Sequence, residues 1–74
     1  ILYGSFKKNT PFIFNIQTQW KCVFSKKIIV EHIRIDLKYN NSEFYLKSSE
    51  IGVHLISCWD NKEMQVFYKV IITD

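Results

Sequence analysis

An alternation of apolar and polar side chains runs through most of this chain, and that period of two constrains its fold more than any other feature. In His32-Ile33-Arg34-Ile35-Asp36-Leu37-Lys38-Tyr39, the apolar Ile33, Ile35 and Leu37 alternate with Arg34, Asp36 and Lys38. Successive side chains of a strand point to opposite faces, so this pattern reads as a strand with one face inward and one in water. Phe12, Phe14 and Ile16 alternate in the same way with Asn15 and Gln17, as do Trp20, Cys22 and Phe24 with Lys21, Val23 and Ser25. Further strands are expected over Ile1 to Phe6, Glu43 to Lys47 with Phe44 and Leu46 on one side, Val53 to Trp59, and Met64 to Thr73.

Turn residues separate these runs. Asn40-Asn41-Ser42, Ser48 to Gly52 and Asp60-Asn61-Lys62 are rich in Asn, Asp, Ser and Gly, which accept left-handed backbone angles or bond their own main chain. A helix competes only over Lys26 to Lys38, where apolar residues at 28, 29, 33 and 37 approximate a helical face. The β-branched crowding of Ile28, Ile29, Val30, Ile33 and Ile35 disfavours it. About seven short strands with turns roughly every eight to twelve residues indicate an all-β antiparallel sandwich or barrel.

The 74 residues are enough for one small domain with a modest core. Hydrophobic residues are 47% and aromatics 16% of the chain, which excludes a disordered segment. Alanine is absent, and the excess of Ile, Lys, Asn, Phe and Tyr matches coding DNA rich in A and T, so the net charge of +3 owes much to codon usage. Because the chain opens on Ile1 rather than Met, it is expected to be part of a larger multidomain protein. No apolar run approaches the roughly 20 residues of a membrane-spanning helix.

Chemistry-bearing residues are few. No C-x-x-C, H-x-x-x-H or H-E-x-x-H spacing is present, and His32 and His54 fall on different strands. His54 and Cys58 share a face but lie four strand positions apart, about 13 Å, too far for one ion or for a base to reach a thiol. Neither a glycine-rich phosphate loop nor a paired acid and base appears, so no enzyme, metal or cofactor is expected. Lys7, Lys8, Lys21, Lys26 and Lys27 are candidates for a nucleic-acid-binding patch, but seven acids are spread among them and a mixed solvated surface is favoured. Phe67 and Ile71 share the polar face of the last strand with Lys69 and Thr73, which marks them for burial against a protein partner or a neighbouring domain.

The order of elements resembles the filamin-type immunoglobulin-like repeat. Tyr3-Gly4 matches the opening of that family, Phe14 and Ile16 its second strand, and Gly52 the glycine before its sixth strand. His54 stands at the tyrosine position of the sixth strand, Ile56 and Cys58 at its inward positions, and Tyr68, Val70 and Ile72 at those of the last. Val66-Phe67 replaces the family's Ser-Pro, and the middle of the chain is shorter than usual.

The resemblance implies a seven-stranded immunoglobulin-like sandwich that acts as a non-catalytic adhesion or scaffold module. It also implies that a partner's extended segment adds beside the third strand, in a groove lined from Trp20 to Ser25 and from Ile28 to Asp36. Trp20, Val23, Ile28 and Val30 are then partner-binding candidates, with Phe67 and Ile71. In such a topology the third and sixth strands are antiparallel neighbours. That would bring Cys22 to Cys58 and leave two alternatives, a disulfide or a pair of buried thiols. Asn40-Asn41-Ser42 is an N-glycosylation sequon, which with a bridge would lean towards the cell surface over the cytoplasm.

Overall fold

The computed structural model describes all residues from Ile1 to Asp74. It contains seven strands and no helix: β1 (Leu2–Lys7), β2 (Phe12–Gln17), β3 (Lys21–Phe24), β4 (Ile29–Asp36), β5 (Asn41–Lys47), β6 (Gly52–Trp59) and β7 (Gln65–Thr73). They form two sheets, one ordered β1-β7-β6-β3 and the other β2-β5-β4. All neighbours are antiparallel except β1 and β7, which run parallel and join the two ends of the chain. The segment weighed as a helix instead holds a turn and β4. No helix is long and apolar enough to cross a membrane.

The core lies between the inward faces. Phe12, Phe14, Ile28, Leu46, Ile56, Cys58, Val70 and Ile72 are buried there, with Tyr3, Phe6, Trp20, Phe24, Phe44 and Tyr68 packed around them. Phe14 is at the centre, its ring centroid 4.8 Å from that of Tyr3 and 5.4 Å from that of Tyr68. Alternation accounts for these positions, because every one of the eight except Ile28 sits at an inward step of a strand.

Turn chemistry closes the ends. Asp60 Oδ1 accepts from the N–H groups of Lys62 and Met64 at 2.8 and 2.9 Å, with Glu63 at a φ of 62°. The reversal between β4 and β5 spans residues 37–40 rather than 40–42. Asp36 Oδ1 accepts from the N–H groups of Lys38 and Tyr39, and Asn40 takes a φ of 53°. Asn41 and Ser42 therefore begin β5, and Leu37 leaves the strand for solvent. At the opposite end, Ser48 donates from Oγ to the carbonyl of Lys27 at 2.8 Å and accepts from the N–H of Glu50. Gly52 opens β6 at a φ of 135°, a conformation that only glycine adopts without strain.

Candidate functional site

The two lateral edges of this structure are treated differently. On one side β1 and β2 are the edge strands, and Tyr3 sews them together: its hydroxyl donates to the carbonyl of Ile13 at 3.0 Å and accepts from the N–H of Asn15 at 3.1 Å. Main-chain groups that would otherwise line a bare edge are thus occupied.

On the other side β3 and β4 are the edges, and no side chain performs that service. The N–H of Ser25 donates to the carbonyl of Leu55, continuing the β3–β6 ladder, which places residues 21, 23 and 25 in hydrogen-bonded pairs. Antiparallel ladders alternate, so Cys22 and Phe24 turn their N–H and C=O groups outward to the free edge.

Beneath that edge the opposite sheet is left uncovered. Phe14, Phe44 and Ile33 form one row across β2, β5 and β4 and share the inward face. Phe14 is buried, Phe44 half-buried, and Ile33 is 49% exposed. The next row repeats the trend: Ile16 is half-buried and Ser42 buried, but Ile35 is 58% exposed. Phe24 of β3 lies over Phe44, with ring centroids 5.1 Å apart, so β3 roofs β5 and nothing roofs β4. Ile33 and Ile35 point to the expected face yet do not join the core, and Leu37 lies in the turn beyond the strand.

This geometry sorts the candidates. Val30 is 38% exposed on the uncovered face of β4, and Val23 is exposed on the outer face of β3. Ile28 is buried in the core and offers no partner surface, while Trp20 is packed against the core and only half-buried. Both stand immediately before a strand, Ile28 before β4 and Trp20 before β3. Phe67 is exposed and Ile71 half-buried on the outer face, but β7 is not an edge strand, because β1 pairs along its free side. The resemblance implied a groove lined by residues 28–36, but the alternation by itself put Ile33 and Ile35 in a covered core, and that cover is missing. No local signal reveals it, since the alternation of β4 matches that of a covered strand.

The sulfurs of Cys22 and Cys58 are bonded, in directly opposed positions of β3 and β6 with Cα atoms 4.1 Å apart. The bridge therefore ties neighbouring strands of one sheet, and what it secures is the register of the four-residue strand β3. Asn40 is exposed at its turn, whereas the Ser42 of the sequon is buried in β5 and inaccessible in the folded chain.

The remaining candidates separate. His32 packs beside Tyr45 on β4 and β5, while His54 is buried on β6 with Nε2 2.7 Å from the carbonyl of Glu50. No three His, Cys, Asp or Glu residues stand close enough to share an ion. Lys8 and Lys27 lie near the turn where Asn9 bonds the carbonyl of Ser48, whereas Lys21 is paired with Trp59 at the far end of β6, so the five lysines form no single patch.

No family model and no curated protein matches this chain. Among solved structures it is similar to the crystal structure of the cysteine protease inhibitor EhICP2 from Entamoeba histolytica, with a TM-score of 0.71 over 96% of this chain and 86% of that one. The two are 16% identical, so the likeness is one of fold.

Proposed function

We propose that this chain is a non-catalytic, immunoglobulin-like protein-binding domain that takes up an extended segment of a partner by strand addition at β3. The observation that carries this reading is the apolar inward face of β4, with Val30, Ile33 and Ile35 exposed beside an open edge. A strand hydrogen-bonded to Cys22 and Phe24 would lie about 4.8 Å beyond β3, over β4, where its alternate side chains would bury Ile33 and Ile35. Two facing sheets with β3 and β4 as free edges on one side supply what this mode of binding requires. The cross-strand bridge holds β3 in place before a partner arrives, which lowers the ordering cost of binding.

The test uses a library of extended peptides with alternating apolar residues, titrated against the 74-residue chain. Binding is expected to weaken by about 10-fold or more in Ile33→Asp. It is also expected to vanish when the bound peptide is N-methylated at alternate residues on its docking edge. Binding that tolerates both changes would show that no strand is added.

A second reading rests on the end of the molecule where three turns meet. The N–H of Thr18 donates to the carbonyl of Asn40, and Gln19 lines a groove with Trp59, Asp60 and Asn61. Leu37, Tyr39 and Met64 are exposed there. Apolar side chains exposed on turns suit insertion into a cleft, and the similar structure is that of a cysteine protease inhibitor. Inhibition of papain that is lost in Tyr39→Ala and kept in Ile33→Asp would favour this end over the β3 edge; unchanged hydrolysis would dismiss it.

A further inference from the structure

The outer faces of the two sheets differ in kind. On the three-stranded sheet, Glu43 stands across from Arg34, and Lys47 pairs with Glu31 at 3.4 Å. That face carries both signs of charge, with Ile13 and Ile29 its exposed aliphatic residues. On the four-stranded sheet, the outward positions of β6 and β7 include Val53, Leu55, Phe67, Lys69 and Ile71, with Ser57 beside Phe67 and Gln65 and Thr73 at the two ends of β7, and Val23 and Leu2 extend the surface onto β3 and β1. Leu2, Val23 and Val53 are each 61% exposed.

Charge on this face has one sign. Lys7, Lys21 and Lys69 are its only ionic side chains, and none of them makes an ion pair. Register places Lys69 between Leu2 and Leu55 across the sheet, and between Phe67 and Ile71 along β7. It is thus a cation ringed by apolar side chains.

From this arrangement we infer that the outer face of β6 and β7 is a second docking surface, for an acidic amphipathic helix of a partner protein. A helix about 10 Å across covers two strands spaced about 4.8 Å apart, which is the width of the stripe formed by Val53, Leu55, Phe67 and Ile71. Its apolar side would bury those residues, and a carboxylate on that side would meet Lys69 in a site from which water is excluded. A charge pair desolvated in this way rewards the matching partner and penalises any other. A second copy of this chain does not fit. A two-fold axis through the patch would set Lys69 against its own copy. This surface is separate from the β3 edge, and either can be right without the other.

Two synthetic amphipathic helical peptides of about 18 residues, five turns each, serve as probes. They share a leucine stripe and differ only in polar residues, one bearing Glu and the other Lys. Fluorescence polarisation with the 74-residue chain should show the Glu peptide binding about 10-fold tighter or better. NMR shifts should concentrate at Val53, Leu55, Phe67 and Ile71. Lys69→Glu should reverse the preference, and Leu55→Asp should abolish binding, with circular dichroism confirming that both variants keep their strands. Ile33→Asp should leave it unchanged, which separates this surface from the β3 edge.

Equal binding of the two peptides, or none, would overturn the proposal. So would a dimer in sedimentation that Leu55→Asp dissolves, or adsorption to phosphatidylserine vesicles in place of the Glu peptide.

Discussion

Phe14 and Tyr3 show how single side chains hold a domain of this size. Phe14 has no exposed surface and touches aromatic rings from β1, β3, β5 and β7, so it links both sheets. Phe14→Ala removes those contacts and leaves a cavity, at a cost of about 3–5 kcal/mol. A chain of 74 residues has a total stability of roughly 4–11 kcal/mol at the usual 0.05–0.15 per residue. The expected outcome in calorimetry is a transition lowered by about 15 °C or more, or no cooperative transition at all. Tyr3→Phe keeps the ring and loses only the hydroxyl that serves Ile13 and Asn15. It should cost about 1–2 kcal/mol in denaturant unfolding. Faster amide exchange at Asn15 would locate the loss at the β2 edge.

At the scale of elements, β3 is the weakest strand by length and the one with the most to do. Its four residues pair only with β6, and the Cys22–Cys58 bridge sits within that pairing. Closing a loop of 36 residues restrains the unfolded chain by about 4 kcal/mol in the chain-entropy account. The double variant Cys22→Ser, Cys58→Ser should lose about 2–4 kcal/mol by this effect. Hydrogen exchange should quicken first over Lys21 to Phe24, while β5 and β7 stay protected. Uniform quickening across all strands would mean that the bridge stabilises the whole domain and not β3. By contrast, Ile33→Asp on β4 replaces a side chain already half in water. It should shift stability by no more than about 0.5 kcal/mol in chemical denaturation, which makes it a clean probe of binding.

The whole molecule is closed by its own ends. β1 is the first of the seven strands and β7 the last, and their parallel pairing means that the four-stranded sheet cannot be completed until both are present. Contacts this distant in sequence predict folding in milliseconds to seconds, at the slow end for a small domain. Removing Ile1 to Lys7 would bare one side of β7 and strip Phe12 of Phe6, the ring stacked on it with centroids 4.1 Å apart. Such a truncated chain should associate through the exposed edge, seen as concentration-dependent mass in light scattering. Intact mass belongs to this scale too, since the bridged chain must be two hydrogens lighter than the reduced one. Equal masses before and after reductant would mean free thiols.

Alternation is a local property, so the strands and the inward residues Phe12, Phe14, Leu46, Ile56, Cys58, Val70 and Ile72 were legible in the sequence, as were the turns at Asp60 and Gly52. What a strand meets across the sandwich is not local. Ile33 and Ile35 carry the same pattern as Phe12 and Phe14, but their exposure depends on whether the opposite sheet extends far enough to cover them. The resemblance implied a groove lined by residues 28–36, but only the structure shows which of them lie uncovered. Ile28 joins the core and Trp20 packs against it from positions just before β4 and β3, and β7 lies inside its sheet because β1 returns alongside it from the far end of the sequence. The chain alone thus determined which residues face inward. Only tertiary packing decided which of those faces are covered, because cover is supplied by residues distant in sequence and is limited by the width of the facing sheet.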